Sequence, residues 1–90
     1  MKTPLITVEF YGVPRKRAGR SELTVSAANV RDLLRAIRSA CPELGDVCDA
    51  DGALSRHYLL SLDGERFLAG GDAELVDGVH LLLLSADPGG

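Results

Sequence analysis

Few side chains in this 90-residue sequence have a type and spacing suited to chemistry. Cys41 and Cys48 are separated by six residues, which fits neither a Cys-x-x-Cys redox motif nor a four-ligand zinc pattern. Both read as free thiols acting as small hydrophobes. His57 and His80 are isolated from each other and from any Cys or carboxylate motif, and read as structural. Asp46, Asp49 and Asp51 precede Gly52 without the twelve-residue register and closing Glu of a calcium loop, so no metal site is expected. There is no Ser-His-Asp set, Gly-rich phosphate loop or paired-carboxylate site, so the chain is not expected to catalyse alone or to bind a cofactor. What remains is the end, Gly89-Gly90. A carboxylate is a poor electrophile, but joining it to a nucleotide phosphate supplies a leaving group that a nucleophile can displace. Two residues without Cβ accept backbone angles closed to others and thread into a narrow site. Pro88 fixes its own φ and biases Asp87 to an extended form, stiffening the segment just before them. Taken alone, Gly89-Gly90 reads as an ordinary chain end, and residues 87–90 are set apart only as a candidate tail.

A tail of this kind needs a rigid domain behind it, and the pattern of the chain predicts one. Leu5 to Tyr11 alternates, with Ile6, Val8 and Phe10 on one face and Thr7, Glu9 and Tyr11 on the other, as in a half-buried strand. Gly12-Val13-Pro14 breaks it, Arg15-Lys16-Arg17-Ala18-Gly19-Arg20 reads as a basic loop, and Glu22 to Ser26 resumes as a second strand. Asn29 is a good helix N-cap with Asp32 in the first turn, and Val30, Leu33, Leu34, Ile37 and Cys41 recur at helical spacing. Pro42 should stop that helix near Ser39 to Cys41, leaving Arg31, Arg35 and Arg38 on a solvated face. Glu43 to Arg56 reads as a polar loop with room for one short helical turn.

Tyr58 to Leu62 reads as a strand, Asp63-Gly64 as a hairpin turn and Glu65 to Leu68 as the return strand. Ala73 to Val76, between Gly-Asp turn signals, is expected to form at most a single helical turn. Val79 to Leu84 is a nearly continuous apolar run, predicted to be a central strand covered on both faces. One helix covers only one face. If Leu81 and Leu83 point to it, Leu82 and Leu84 lie on the open side beside Tyr11, and such an exposed apolar patch marks a protein interface. The order hairpin, helix, hairpin, final strand gives an α+β domain over residues 1–86. Its mixed sheet of four to five strands and one main helix is the β-grasp arrangement, with the first and last strands parallel.

Composition bounds the rest. At 46% apolar with two Phe, two Tyr and no Trp, the core must be aliphatic. No apolar run approaches the roughly 18 residues of a membrane span and no signal-like stretch opens the sequence, so a cytoplasmic location is expected with no membrane partner. Net charge is −3, but residues 1–45 hold eight Lys/Arg against four Asp/Glu while residues 46–90 hold two against nine. This asymmetry suits a charged docking face. The acidic whole, and the lack of aromatic stacking residues among Arg15, Lys16, Arg17 and Arg20, argue against a nucleic-acid partner.

Several of these pieces, in this order, resemble the ubiquitin-like sulfur-carrier family that includes the small subunit of molybdopterin synthase and the thiamin-pathway sulfur carrier. They are Val8-Glu9-Phe10-Tyr11-Gly12 leading to Ala18-Gly19-Arg20, Val30-Arg31-Asp32-Leu33-Leu34, Leu62-Asp63-Gly64, Glu74-Leu75-Val76-Asp77-Gly78, a final strand and terminal Gly89-Gly90. The resemblance implies that an adenylating enzyme of the ubiquitin-activating kind, using ATP, joins Gly90 to AMP and that a sulfur donor then converts it to a thiocarboxylate. A sulfur-accepting enzyme, or the large subunit of molybdopterin synthase, would receive the sulfur. It implies docking positions at Tyr11 and Leu84. The partner-facing set is then Tyr11, Phe67, Leu82 and Leu84, with Asp87 and Pro88 in the tail. Two alternatives stay open: a molybdopterin synthase small subunit, and a modifier joined through Gly90 to lysines of other proteins. The chain departs from the family's usual Pro-Pro before the glycines, reading Ser85-Ala86-Asp87-Pro88, and has Asp63 for Asn and Val79-His80 for acidic residues.

Overall fold

A computed structural model describes residues 3–45, 47–48, 52–62, 66–68 and 70–86. The alternating segment forms β1 (Leu5–Phe10), whose inward residues Ile6, Val8 and Phe10 are at most 1% exposed. It pairs antiparallel with β2 (Glu22–Ser26), in a register that sets Leu5 opposite Ser26 and Glu9 opposite Glu22. The segment between them is not the loop expected from sequence but a short helix, α1 (Val13–Ala18). Six residues are too few to show a helical period, but the termini carry local signals: Pro14 presets φ in the first turn, and Gly19 closes the last. At φ 72° Gly19 occupies the left-handed region and its N–H reaches the Arg15 carbonyl, a conformation that costs a residue with a Cβ about 1 kcal/mol or more.

The amphipathic segment forms α2 (Val30–Ala40), and its stripe of Val30, Leu33, Leu34 and Ile37 is fully buried. Each of these side chains contributes about 1.5–3 kcal/mol of burial to a core made almost wholly of aliphatics. Asn29 caps the helix as its residue type predicts, its Oδ1 accepting from the Asp32 N–H at 2.8 Å. Asn29→Ala is expected to lower unfolding free energy by about 1 kcal/mol, read as a smaller urea midpoint at an unchanged slope. Cys41 terminates the helix, buried, and a 3-10 turn over Pro42–Leu44 follows where one short helical turn had room. Arg31 departs from the solvated face expected for it. Its Nη2 lies 3.1 Å from the Asp72 carboxylate, and its side chain crosses Gly52, where an added Cβ would come within 2.5 Å of Nε.

Tyr58 to Leu62 forms β3 (Tyr58–Leu62), and β4 (Arg66–Leu68) returns beside it with Leu60 opposite Leu68. The Asp63-Gly64 turn lies outside the described residues, as do Asp46, Asp49 and Asp51. Ala73 to Val76 forms no helical turn. Its backbone groups bond across to the entry of α2 instead: Glu74 bridges Asn29, Leu75 N–H meets the Ala28 carbonyl, and Val30 N–H meets that of Ala73. Leu75, 7% exposed, is drawn into the core by this path, and a local helical turn would forgo both gains.

The apolar run forms β5 (His80–Ser85) at the centre of a five-stranded sheet ordered β2-β1-β5-β3-β4. β5 is parallel to β1 and antiparallel to β3, and the α2 crossover supplies the long connection that a parallel pair requires. Leu81 and Leu83 are fully buried on the α2 side. This is the α+β, mixed-sheet β-grasp fold with one main helix. Among the described residues no helix is long and apolar enough to cross a membrane.

Candidate functional site

Side-chain parity defines the second face of the sheet. On β1 it carries Leu5, Thr7 and Glu9, continued by Tyr11; on β5, His80, Leu82 and Leu84; on β3, Leu59 and Ser61; on β4, Phe67. No described helix lies over it. The ladder sets Phe10 beside Leu83, and the Tyr11 N–H donates to the Leu83 carbonyl, which places Tyr11 next to Leu84. Leu59 is opposite Leu84, while Ser61 is opposite both Leu82 and Phe67.

The structure therefore brings Tyr11, Leu82, Leu84 and Phe67 onto one surface. Tyr11 is 43% exposed, Phe67 64%, and Leu82 and Leu84 are half-buried. Sequence reading missed Leu59, 38% exposed in the middle of the patch, although its parity against inward Tyr58 and Leu60 carried the signal. It also missed Ser61. That hydroxyl is buried, with no hydrogen-bond partner among the described residues. Gly89, Gly90, Asp87 and Pro88 lie outside the described residues.

The other half of this face is polar. Glu9 Oε1 is 2.9 Å from His80 Nε2, and the Thr7 and Thr24 hydroxyls are 3.3 Å apart. Hydrogen bonding from the Tyr11 hydroxyl, then from His80, holds the Glu9 carboxyl below its ordinary value, and Glu9 in turn pushes the Tyr11 phenol up. A carboxyl depressed by folding adds stability above its unfolded pKa and loses it as pH falls through the folded one. The window for Glu9 thus lies below 4.5. An NMR titration should find its midpoint there, and Tyr11→Phe should move that midpoint upward by removing the largest influence on it.

The tail is launched from the end of β5. Ser85 is opposite Tyr58 at the start of β3, and Ala86 N–H donates to the His57 carbonyl at 2.9 Å. The Tyr58 hydroxyl donates to the Leu44 carbonyl at 2.6 Å and accepts from Arg17 Nη1 at 3.3 Å, tying α1, β3 and the 3-10 turn together under that point. The thiol of Cys41 is pushed up by burial, so it is a poor nucleophile. Among the described residues no group of three or more His, Cys, Asp and Glu gathers as metal ligands would.

No family model matches the sequence, and no curated relative does. Solved structures do match. SAMP1 of Haloferax volcanii, a small archaeal modifier protein, is 27% identical with a TM-score of 0.77, over 96% of this chain and 99% of that one. Small archaeal modifier protein 1 of Methanosarcina acetivorans is 22% identical with a TM-score of 0.79, over the whole of both chains. A Pyrococcus furiosus protein assigned as molybdopterin converting factor subunit 1 is 20% identical with a TM-score of 0.75, over 94% of this chain and 100% of that one. With the parallel β1–β5 pair, the crossing helix and a sheet face that no described helix covers, these likenesses make the chain a ubiquitin-like β-grasp protein, of one fold with small archaeal modifiers and a molybdopterin converting factor subunit.

Proposed function

We propose that the chain is a sulfur carrier, a co-substrate rather than an enzyme, whose Gly90 carboxylate is adenylated and then converted to a thiocarboxylate. The observation that carries the reading is the anchorage of Ala86 to His57 at the end of the central strand, four residues before Gly90 and beside the apolar face. Four residues span at most about 14 Å, so a partner seated on that face can reach the terminus without unfolding the domain. In the first step the Gly90 carboxylate oxygen attacks the α-phosphorus of ATP and pyrophosphate leaves. In the second, hydrosulfide attacks the acyl carbon, AMP leaves with the carbon–oxygen bond electrons, and loss of a proton gives the thiocarboxylate. The adenylating enzyme contributes the ATP site, and the carrier contributes the handle. An ATP-dependent partner sets the reaction in the cytoplasm.

Incubation with an adenylating enzyme of the ubiquitin-activating kind, ATP and sulfide should replace one terminal oxygen by sulfur in the intact mass. A chain without Gly90 should stay unchanged. Failure of Gly90 to gain sulfur with every such enzyme of the source organism would refute the proposal. The fold shared with a molybdopterin converting factor subunit favours a sulfur-accepting enzyme of that kind as the recipient. The likeness to SAMP1 supports a second reading, in which activated Gly90 is transferred to protein lysines. Conjugate ladders on a denaturing gel that vanish on Gly90 deletion would select it.

A further inference from the structure

Charge in this domain is sorted along the strand direction, a property of the fold that the sequence halves only hint at. β1 and β5 run parallel and end at one edge, where β3 begins. Around that edge stand Arg15, Lys16 and Arg17 of α1, Arg20 just after it, and Arg56 just before the His57 carbonyl that holds Ala86. Their positions bracket the tail exit. Arg15 lies close enough to Glu9 and Tyr11 to favour their ionised forms, Arg17 bonds to Tyr58 on the α2 side, and Arg56 flanks the exit from β3. The described carboxylates of this end are Glu9, which faces His80, together with Glu22 and Glu43. At the opposite end Asp32, Asp72, Glu74 and Asp77 outnumber Arg31 and Arg66.

From this sorting we infer that the tail exit is a basic docking collar, and that the protein which takes the tail carries an acidic rim around the mouth of its tail site. The inference rests on Gly90 being the working end. A protein acting on Gly90 must approach within about 14 Å of Ala86, the most that four residues span, and so must cover the collar. A basic rim there would be repelled, whereas an acidic one is steered in and oriented with the apolar face alongside. An extended polyanion fits less well, because beyond the collar it meets the carboxylates of the opposite end.

The test compares the parent with an R15Q/K16Q/R56Q variant, three exposed side chains, and with Arg66→Gln at the opposite end, after circular dichroism has verified each fold. With an enzyme that loads the parent, the triple variant should lose about tenfold in kcat/KM at low salt with kcat unchanged, and the difference should vanish near about 0.5 M salt. Arg66→Gln should load as the parent does. Independently of any enzyme, an octaglutamate peptide added to nitrogen-15-labelled protein should shift amides around Arg15 to Arg20 and Arg56. Equal loading of all three proteins, or peptide shifts spread over the opposite end, would overturn the collar. Tighter binding of an eight-residue thymidine oligonucleotide than of the peptide at the same salt would overturn it in favour of a nucleic-acid surface. If no enzyme loads the parent, the carrier reading fails while the peptide arm still decides the collar.

Discussion

Leu84→Asp is expected to leave the domain folded and to lower the efficiency of Gly90 loading by about 30- to 1,000-fold. Leu84 sits on the uncovered face beside Tyr11 and opposite Leu59, half-buried, so a carboxylate there stays in water in the free protein. The backbone ladder of β5 is indifferent to the side chain, and the lower strand propensity of Asp costs at most about 1 kcal/mol. In a complex, the carboxylate is stripped of water among apolar groups. Loss of a central contact of this kind costs about 2–4 kcal/mol, and each 1.4 kcal/mol is a factor of ten. The check is a thermal melt beside single-turnover loading with saturating ATP. Parent-like loading by a folded Leu84→Asp chain would remove the open face from docking.

One residue earlier on the same strand, the expectation reverses. Leu83→Ala should cost about 2–5 kcal/mol of unfolding free energy and lower the melting temperature by roughly 10–30 °C, with no specific effect on loading by molecules that remain folded. Leu83 is fully buried, in register between Phe10 on β1 and Leu60 on β3, both themselves buried. Truncation therefore leaves a cavity at the centre of the sheet that neighbours on two strands cannot both close. For a domain whose whole stability is of the order of 5–15 kcal/mol, that loss populates unfolded chain at ordinary temperatures. Urea unfolding measures it. A loss below about 1 kcal/mol would mean that the core does not centre on β5.

Where local chemistry decides structure, the sequence was readable. Strand parity placed Ile6, Val8 and Phe10 inside, the Asn29 cap and helical spacing set α2, and the absence of a second long amphipathic helix implied an uncovered sheet face. Where a segment is short the reading erred, and where its hydrogen bonds are distant the reading stopped at an upper bound of one helical turn. The six residues of α1 carry no period, so only its ends, Pro14 in the first turn and Gly19 after the last, signal a helix in a segment that otherwise reads as a loop. Ala73 to Val76 has local turn signals, but its backbone partners at Ala28 to Val30 are more than forty residues away.

The same division governs the candidate site. The sequence by itself determined the identity and order of the tail residues and the inward or outward parity of each strand, because these are properties of covalent order and a period of two. Only the tertiary structure decided that Leu59 joins Tyr11, Leu84 and Phe67 on one surface, that Arg31 pairs with Asp72, and that Arg15 and Arg56 flank the same exit. Those neighbours come from strand order and register. Strand order and register are fixed by the collective burial of Leu81, Leu83 and the α2 stripe, and no local stretch of chain encodes that sum.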